Sequence, residues 1–147
     1  MRKVIAAFLV TLLIILPSCK NKAANEFIWE IGQPSNLVIS DAIEMSILEE
    51  EKMTVQFQIH NSTEKTYYYG RAYILEVMQN GEWHSVDASP SLAYTLEQLS
   101  ILPGESKSDS HSWPCELFEG KFRLIKQFYT DDVHGDSINI AAEFIVE

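Results

Sequence analysis

Residues 53–59 read MTVQFQI, and this stretch decides the class of fold. Its apolar side chains stand at every second position, with a polar side chain between each pair. A period of two predicts a β-strand with one face on a hydrophobic core and the other face in solvent. The predicted core face carries Met53, Val55, Phe57 and Ile59, and the solvent face carries Thr54, Gln56 and Gln58.

Short strand patterns of the same kind continue on both sides of this stretch. Residues 42–48 alternate, and Asn80-Gly81 is the strongest two-residue signal for a β-hairpin, here between strands at 73–78 and 82–86. No segment longer than about 12 residues keeps a helical period. Further strands are expected at 105–112, 121–129 and 138–146. The sequence therefore predicts an all-β protein, an antiparallel β-sandwich of about seven to nine strands.

Three groups of residues in this region resemble a known family when they are taken in order. The first is VxFxIxNxTxK at 55–65, the second is the hairpin NGxW at 80–83, and the third is LPGES at 102–106 with GKFRL at 120–124. In this order and spacing they resemble the bacterial immunoglobulin-like domains of small secreted and lipid-anchored proteins. The resemblance covers about residues 36–147 and implies an immunoglobulin-like β-sandwich.

The resemblance also implies how the chain turns into the strand at 121–129. Immunoglobulin-like folds often place a tyrosine at this corner, with its hydroxyl bonded back to the backbone. This chain has Phe122 there, so we expect ring packing or Gly120 to hold the corner.

The N-terminal residues carry the features of an export signal. The cationic start Met1-Arg2-Lys3 precedes an apolar run at 4–16, and Leu16-Pro17-Ser18-Cys19 follows it. The run has roughly 13 residues, short of the roughly 18 that a membrane-spanning helix needs, so an uncleaved anchor is disfavoured. The stretch that ends in cysteine resembles the signal of bacterial lipoproteins. The alternative is a plain secretory cut after Ser18 or Ala24.

This second resemblance implies where the protein is found. It implies cleavage before Cys19 and attachment of lipid to the Cys19 thiol, so that the protein is anchored to a bacterial membrane outside the cytoplasm. We expect a lipoprotein signal at residues 1–18, a tether and possible first strand at 19–35, and the immunoglobulin-like domain at 36–147.

The charge balance narrows the classes of partner that the protein can bind. The chain has 11 Lys+Arg against 21 Asp+Glu, a formal net charge of −10 at pH 7. This acidity argues against nucleic acid and against a polybasic contact with anionic lipid.

If Cys19 is acylated, Cys115 has no intramolecular partner. We therefore expect no disulfide, and we interpret Cys115 as a small buried side chain rather than a nucleophile.

The sequence contains no catalytic signature, and we expect neither an enzyme nor a cofactor. Ser108-Asp109-Ser110-His111 has the residue types of a catalytic triad. However, neighbours on one strand point to opposite faces, and triads are assembled from distant positions. An enzyme would require distant polar residues to converge in a pocket.

A cluster of acidic residues in one predicted loop is a candidate metal site. Asp131, Asp132 and Asp136, with His134 nearby, could hold Ca²⁺, and Gly135 would allow the turn. Their spacing does not fit an EF-hand, and loops rich in Asp and Gly also occur because they turn well. We prefer the interpretation as a solvated turn.

An aromatic group provides the candidate binding surface. Tyr67, Tyr68, Tyr69 and Trp83 lie on adjacent predicted strands, and alternation sends some of these rings outward. Such rings are favoured in binding because they offer a large area at low entropy cost. The alternative is that they belong to the core. We predict a non-enzymatic protein that binds a protein or a glycan at the cell envelope.

The irregular stretch at 87–100 gives the alternative function. It contains Pro90, and its leucines fit either a helical turn or an irregular crossing. Some bacterial immunoglobulin-like domains inhibit proteases by presenting a loop, and this stretch is long enough for that purpose. The alternative prediction is a proteinase inhibitor that presents this loop.

Overall fold

A computed structural model describes residues 27–89, 91–130 and 136–147. These residues form strands, and no helix among them has the length and apolarity needed to cross a membrane. The strands are β1 (Ile28–Pro34), β2 (Glu44–Glu50), β3 (Thr54–His60), β4 (Tyr67–Tyr69), β5 (Ile74–Gln79), β6 (Glu82–Ser89), β7 (Leu99–Ile101), β8 (Ser106–Ser112), β9 (Gly120–Tyr129) and β10 (Ser137–Val146).

The strands form two antiparallel sheets that enclose one hydrophobic core. The larger sheet has the order β1-β6-β5-β9-β4-β7, and β10 pairs with the other side of β9. The smaller sheet has the order β2-β3-β8. This arrangement confirms the predicted all-β antiparallel sandwich. The described strands exceed the predicted number because β7, with three residues, is too short to show alternation.

Strand β3 runs through the centre of the smaller sheet, as its sequence predicts. Val55, Phe57 and Ile59 are completely buried, whereas Gln56 is exposed. Met53 departs from the prediction, because it precedes the strand and is 43% exposed. Alternation assigns faces only within the paired segment, and residue 53 lies outside it.

The hairpin between β5 and β6 turns at Asn80 and Gly81, as predicted. Their φ angles are 51° and 87°, and a type I′ turn needs such left-handed values at both central positions. Gln79 pairs with Glu82 across the turn. The Asn-Gly pair therefore sets the register of the two strands.

The buried Asn61 explains why the motif after β3 has its spacing. Its Nδ2 donates to the carbonyls of Lys65 at 2.7 Å and Ile101 at 3.2 Å. Its Oδ1 accepts from the backbone N–H of Thr63 at 3.1 Å and from the Thr63 hydroxyl at 2.7 Å. The N–H of Gly104, which has a φ of 75°, donates to the Asn61 carbonyl at 2.7 Å. One residue thus joins two turns.

Phe122 holds the corner before β9 by packing. Its ring is completely buried. The ring centroid lies 5.2 Å from that of Phe118 and 5.6 Å from that of Phe144. Three aromatic rings therefore occupy the region where a corner tyrosine would form its hydrogen bond.

Candidate functional site

Strand β4 divides the three adjacent tyrosines between two environments. Tyr67 and Tyr69 are buried in the core, where the Tyr69 ring lies 5.0 Å from that of Phe128. Tyr68 points to the opposite face and is half-buried. Of these three residues, Tyr68 is the one that a ligand can reach.

Tyr68 lines an open groove of about 420 Å³, which we call the tyrosine groove. Strand β4, the segment after it, the loop before β7 and the end of β9 surround this groove. The lining residues that matter below are Tyr68, Arg71, Tyr94, Leu96, Gln127 and Tyr129.

The end of β9 contributes two of these side chains by alternation. Lys126 and Phe128 face the core, so Gln127 and Tyr129 face outward. Tyr68 pairs directly with Tyr129 across the two strands. The Tyr129 hydroxyl donates to Oε1 of Gln127 at 2.6 Å. Two rings and one amide therefore form a single surface on paired strands.

The loop before β7 forms another wall of the groove. Leu96 is fully exposed on this loop. Arg71 ties the loop to β8, because its Nε donates to Glu97 at 2.8 Å and its Nη1 donates to Asp109 at 2.8 Å. The hydrogen bond to Glu97 raises the pKa of Arg71, and the charge of Asp109 raises it further. This wall combines an exposed leucine with a paired cation.

A buried lysine lies behind the segment that carries Arg71. Lys126 is 1% exposed. Its Nζ lies 3.5 Å from the carbonyl oxygen of Arg71, 3.2 Å from that of Ala72 and 3.3 Å from Nε2 of His111. These three acceptors match the three N–H donors of an ammonium group, provided that His111 is neutral.

Burial controls the protonation of this Lys126–His111 pair. It lowers the pKa of Lys126 to about 8. It lowers the pKa of His111 to about 4, and the nearby Lys126 charge adds to that effect. At neutral pH the lysine is therefore charged and the histidine is neutral, which is the state that their hydrogen bond requires.

This arrangement does not present Lys126 or the β8 serines as a catalytic group. The Lys126 ammonium has acceptors for all its donors and is enclosed by the core, so it is not presented to a substrate. Ser108 and Ser110 are exposed on the face of β8 opposite to His111. The residue types of a triad therefore do not meet on this strand.

Trp83 lies apart from the tyrosine groove, on the outer face of the larger sheet. The Arg123 guanidinium carbon is 4.6 Å from its ring centroid, and Lys121 Nζ is 5.7 Å away. Arg123 also pairs with the buried Glu76 at 2.5 Å. The ring of Trp83 is engaged with two cations, and the fold does not bring it together with Tyr68.

Several predicted residues cannot be placed, because they lie outside the described residues. These are Cys19 with the signal at 1–18 and the tether up to residue 26, Pro90, and Asp131, Asp132, His134 and Gly135. Asp136 is exposed, and in the described part of the chain no three metal-binding side chains come together. Cys115 is free and half-buried there, and burial raises the pKa of its thiol.

The sequence reasoning missed five residues of the tyrosine groove, and for Arg71 no local pattern signalled its position. For Gln127 and Tyr129 a signal existed, since alternation from Phe122 sends residues 127 and 129 outward. Tyr94 and Leu96 lie in a stretch without strand or periodic pattern. The fold alone brings that stretch to β4.

Two antiparallel sheets around one core, in this strand order, define an immunoglobulin-like β-sandwich domain. A family model for the bacterial Ig-like domain matches residues 36–145. The chain therefore belongs to the bacterial Ig-like domain family.

Solved structures that resemble this chain share little sequence with it. A Bordetella pertussis protein assigned as ApaA is 13% identical, with 81% of this chain and 92% of that chain covered and a TM-score of 0.41. A structural-genomics target is 15% identical, with 82% and 85% covered and a TM-score of 0.40. A Listeria innocua β-glucosidase solved with gluconolactone is 12% identical, with 83% and 16% covered and a TM-score of 0.24. No curated protein sequence matches the chain.

Proposed function

We propose that this protein is a lipid-anchored binding module that works outside the cytoplasm without catalysis. Its immunoglobulin-like domain takes a protein or a glycan of the cell envelope in the tyrosine groove. One observation carries this proposal: Tyr68, Tyr94 and Tyr129 surround an open groove of about 420 Å³.

Tyrosine rings around a groove favour binding for a physical reason. Each ring offers a large contact area, few rotatable bonds and a polar hydroxyl. Tyr68 and Tyr129 are held in place because they lie on paired strands. The ion pair between Arg71 and Glu97 holds the loop wall. Little conformational freedom is then lost on binding, which favours affinity.

The lipid anchor is the second part of the proposal. Acylation of Cys19 would hold the domain at the membrane surface, and two or more acyl chains give stable anchoring. The chain has a net charge of −10, so an anionic membrane would repel the domain itself. Metabolic labelling with an alkyne fatty acid tests this part. We expect label on the wild type and none on Cys19→Ala, and an unlabelled wild type would refute the anchor.

The groove is tested by affinity capture from the native envelope. The bait is the Cys19→Ala protein, compared with the same protein carrying Tyr68→Ala or Tyr129→Ala. We expect the captured partner to be lost with both groove variants and kept with Trp83→Ala, provided that circular dichroism shows all of them folded. Capture that survives both groove changes, or that fails only with Trp83→Ala, would locate the binding surface elsewhere.

A proteinase inhibitor is the second candidate, favoured by the form of the loop at 91–98. Leu96 is fully exposed there, and Glu97 beside it is tied to Arg71 at 2.8 Å. An exposed apolar side chain on a restrained loop is what a protease subsite would accept. A panel of serine and cysteine proteases at micromolar inhibitor tests it. Inhibition lost in Leu96→Glu would support this function, and no inhibition of any protease would end it.

A further inference from the structure

Tyr94 lines a second cavity besides the tyrosine groove. This aromatic cavity has a volume of about 240 Å³. It is lined by Trp29, Tyr73, Asp87, Ser91 and Tyr94, together with the aliphatic residues Ile74, Leu75, Val86, Ala88 and Leu92. Its three rings come from β1, from the residue before β5 and from the loop before β7. Only folding brings these segments together.

The rings of this cavity meet at steep angles instead of stacking. The Tyr73 and Tyr94 centroids are 5.4 Å apart at 77°. Behind them, Trp113 contacts Tyr73 at 5.1 Å and 69°, and Trp29 at 6.3 Å and 80°. The Tyr73 and Tyr94 rings, at a large angle to each other, therefore form two walls of the cavity, and Trp29 supplies a third ring. Aromatic cages of this kind attract compact cations through the negative faces of the rings.

The charges around the cavity favour the same kind of ligand. Asp87 is the charged residue that lines it, and this carboxylate has no ion pair within the described residues. Asp87 is exposed, and Glu30, its cross-strand neighbour on β1, does not line the cavity. A carboxylate without an ion pair at the cavity attracts a cation and repels an anion.

One polar atom of the cage also lacks a partner. The Tyr73 hydroxyl is buried and has no partner within hydrogen-bond geometry among the described residues, although the Tyr94 hydroxyl lies close enough to act on it. Burial raises the pKa of Tyr73, with a further contribution from Tyr94, so this phenol is neutral. A buried hydroxyl without a partner is costly, and a ligand that supplies one would remove that cost.

We propose that the aromatic cavity binds a small alkylammonium cation that carries a hydroxyl but no anionic group, as choline does. The cation would sit against the rings near Asp87, with its hydroxyl available to Tyr73. The volume is below the roughly 300–1,000 Å³ of pockets for drug-sized ligands, so the ligand has few heavy atoms. This site does not depend on the function proposed for the tyrosine groove, with which it shares Tyr94 alone among the lining residues.

Titration of the purified protein with choline chloride at constant ionic strength tests the proposal. Tryptophan fluorescence is a suitable signal because Trp29 lines the cavity. We expect saturable binding of choline and at least about tenfold weaker binding of 3,3-dimethyl-1-butanol, its neutral isostere. Equal binding of the two would refute recognition of the charge. The absence of a saturable signal, repeated by calorimetry, would refute the site.

Variants locate the ligand and test its charge preference. Tyr94→Ala on the exposed loop should weaken choline binding about tenfold, and Asp87→Asn about threefold. Tyr129→Ala, which alters the tyrosine groove alone, should leave it unchanged. An equal loss in Tyr129→Ala would assign choline to that groove and overturn the proposal. Phosphocholine should bind more weakly than choline, and tighter binding would overturn the preference for a ligand without an anionic group.

Discussion

The interior of the sandwich differs between the two halves of β9. In the first half, Phe122 packs against Phe118 and Phe144, and the neighbourhood is aromatic and apolar. In the second half, the same inward row carries Lys126, whose ammonium meets His111 and the carbonyls of the chain before β5. We call these the apolar half and the polar half.

This difference separates what stabilises the fold from what shapes the candidate sites. The apolar half is stabilised by the burial of nonpolar surface. This burial does not require particular backbone groups elsewhere in the chain to be held in place. In the polar half, the charge of Lys126 must be partnered, so it fixes the carbonyls of Arg71 and Ala72. The Arg71 side chain in turn ties the loop that lines both the tyrosine groove and the aromatic cavity. The buried charge of Lys126 is thus connected, through the Arg71 backbone, to the loop that lines both candidate sites.

Truncation in the apolar half should have the largest effect. Phe122→Ala removes a completely buried ring and leaves a cavity between two sheets. We expect a loss of about 4 kcal/mol in the free energy of unfolding, measured by urea denaturation. Phe122→Leu should lose less than half of that. A loss below about 1 kcal/mol for the alanine variant would show that the apolar half does not dominate stability.

Acid should next destabilise the polar half. The unfolded chain binds a proton at His111 with an ordinary pKa near 6.5, whereas the folded protein does so only at about 4. Between these values the unfolded state binds more protons, so stability falls as the pH is lowered from about 6.5 to 4. A shift of this size corresponds to roughly 3 kcal/mol. The groups that face His111 are Lys126, Asp109 and Arg71, and Lys126 contributes most of the charge effect.

The control for this effect is a variant that cannot titrate at residue 111. His111→Phe keeps a ring against Phe57, whose centroid lies 5.4 Å from that of His111. Carboxylates titrate in the same pH range, so the measured quantity is the difference between wild type and variant in urea unfolding from pH 7 to 4. Parallel curves for the two proteins would contradict the assignment.

The two halves also differ in how far the sequence predicts them. Period-two alternation predicts β3, its buried row and the inward position of Phe122. The same alternation puts Lys126 in the core row, where a charge is unexpected. Its partners explain the exception, but Ala72 lies 54 positions away and His111 on the other sheet. These partners come together only in the tertiary fold, so no local sequence pattern predicts them.

The candidate sites are less predictable for the same reason. Tyr68 was predicted, and Tyr129 follows from alternation on β9. Tyr94 lines both cavities but lies on a loop without periodicity. The Asn-Gly turn was predictable because it obeys local backbone rules, whereas the course of a loop depends on the contacts that hold it.

The third prediction concerns Asn61, another buried polar residue, and its contribution to the free energy of unfolding. Asn61→Ala removes four side-chain hydrogen bonds and leaves the buried Ile101 carbonyl without that donor. We expect a loss of about 2 kcal/mol in urea unfolding. Asn61→Asp keeps the acceptor for Thr63 but turns a buried carboxylate oxygen toward the carbonyls of Lys65 and Ile101, so it should lose at least as much. An aspartate variant as stable as the wild type would show that the donated bonds are unimportant.

The smallest effect on stability should come from Arg71, and it tests the link between the polar half and the loop. Arg71→Gln breaks the ion pairs to Glu97 and Asp109, which are partly exposed, so unfolding should change by less than about 1 kcal/mol. Lys121→Gln is a matched control, since it breaks the exposed pair to Glu143 at 2.6 Å beside the apolar half. Amide hydrogen exchange over residues 91–98 should accelerate severalfold in Arg71→Gln alone, because that loop loses its tie to β8. If the loop amides exchange at the same rate in both variants, the ion pairs of Arg71 do not order the loop. The proposed connection from Lys126 through the Arg71 backbone to the tyrosine groove would then be wrong.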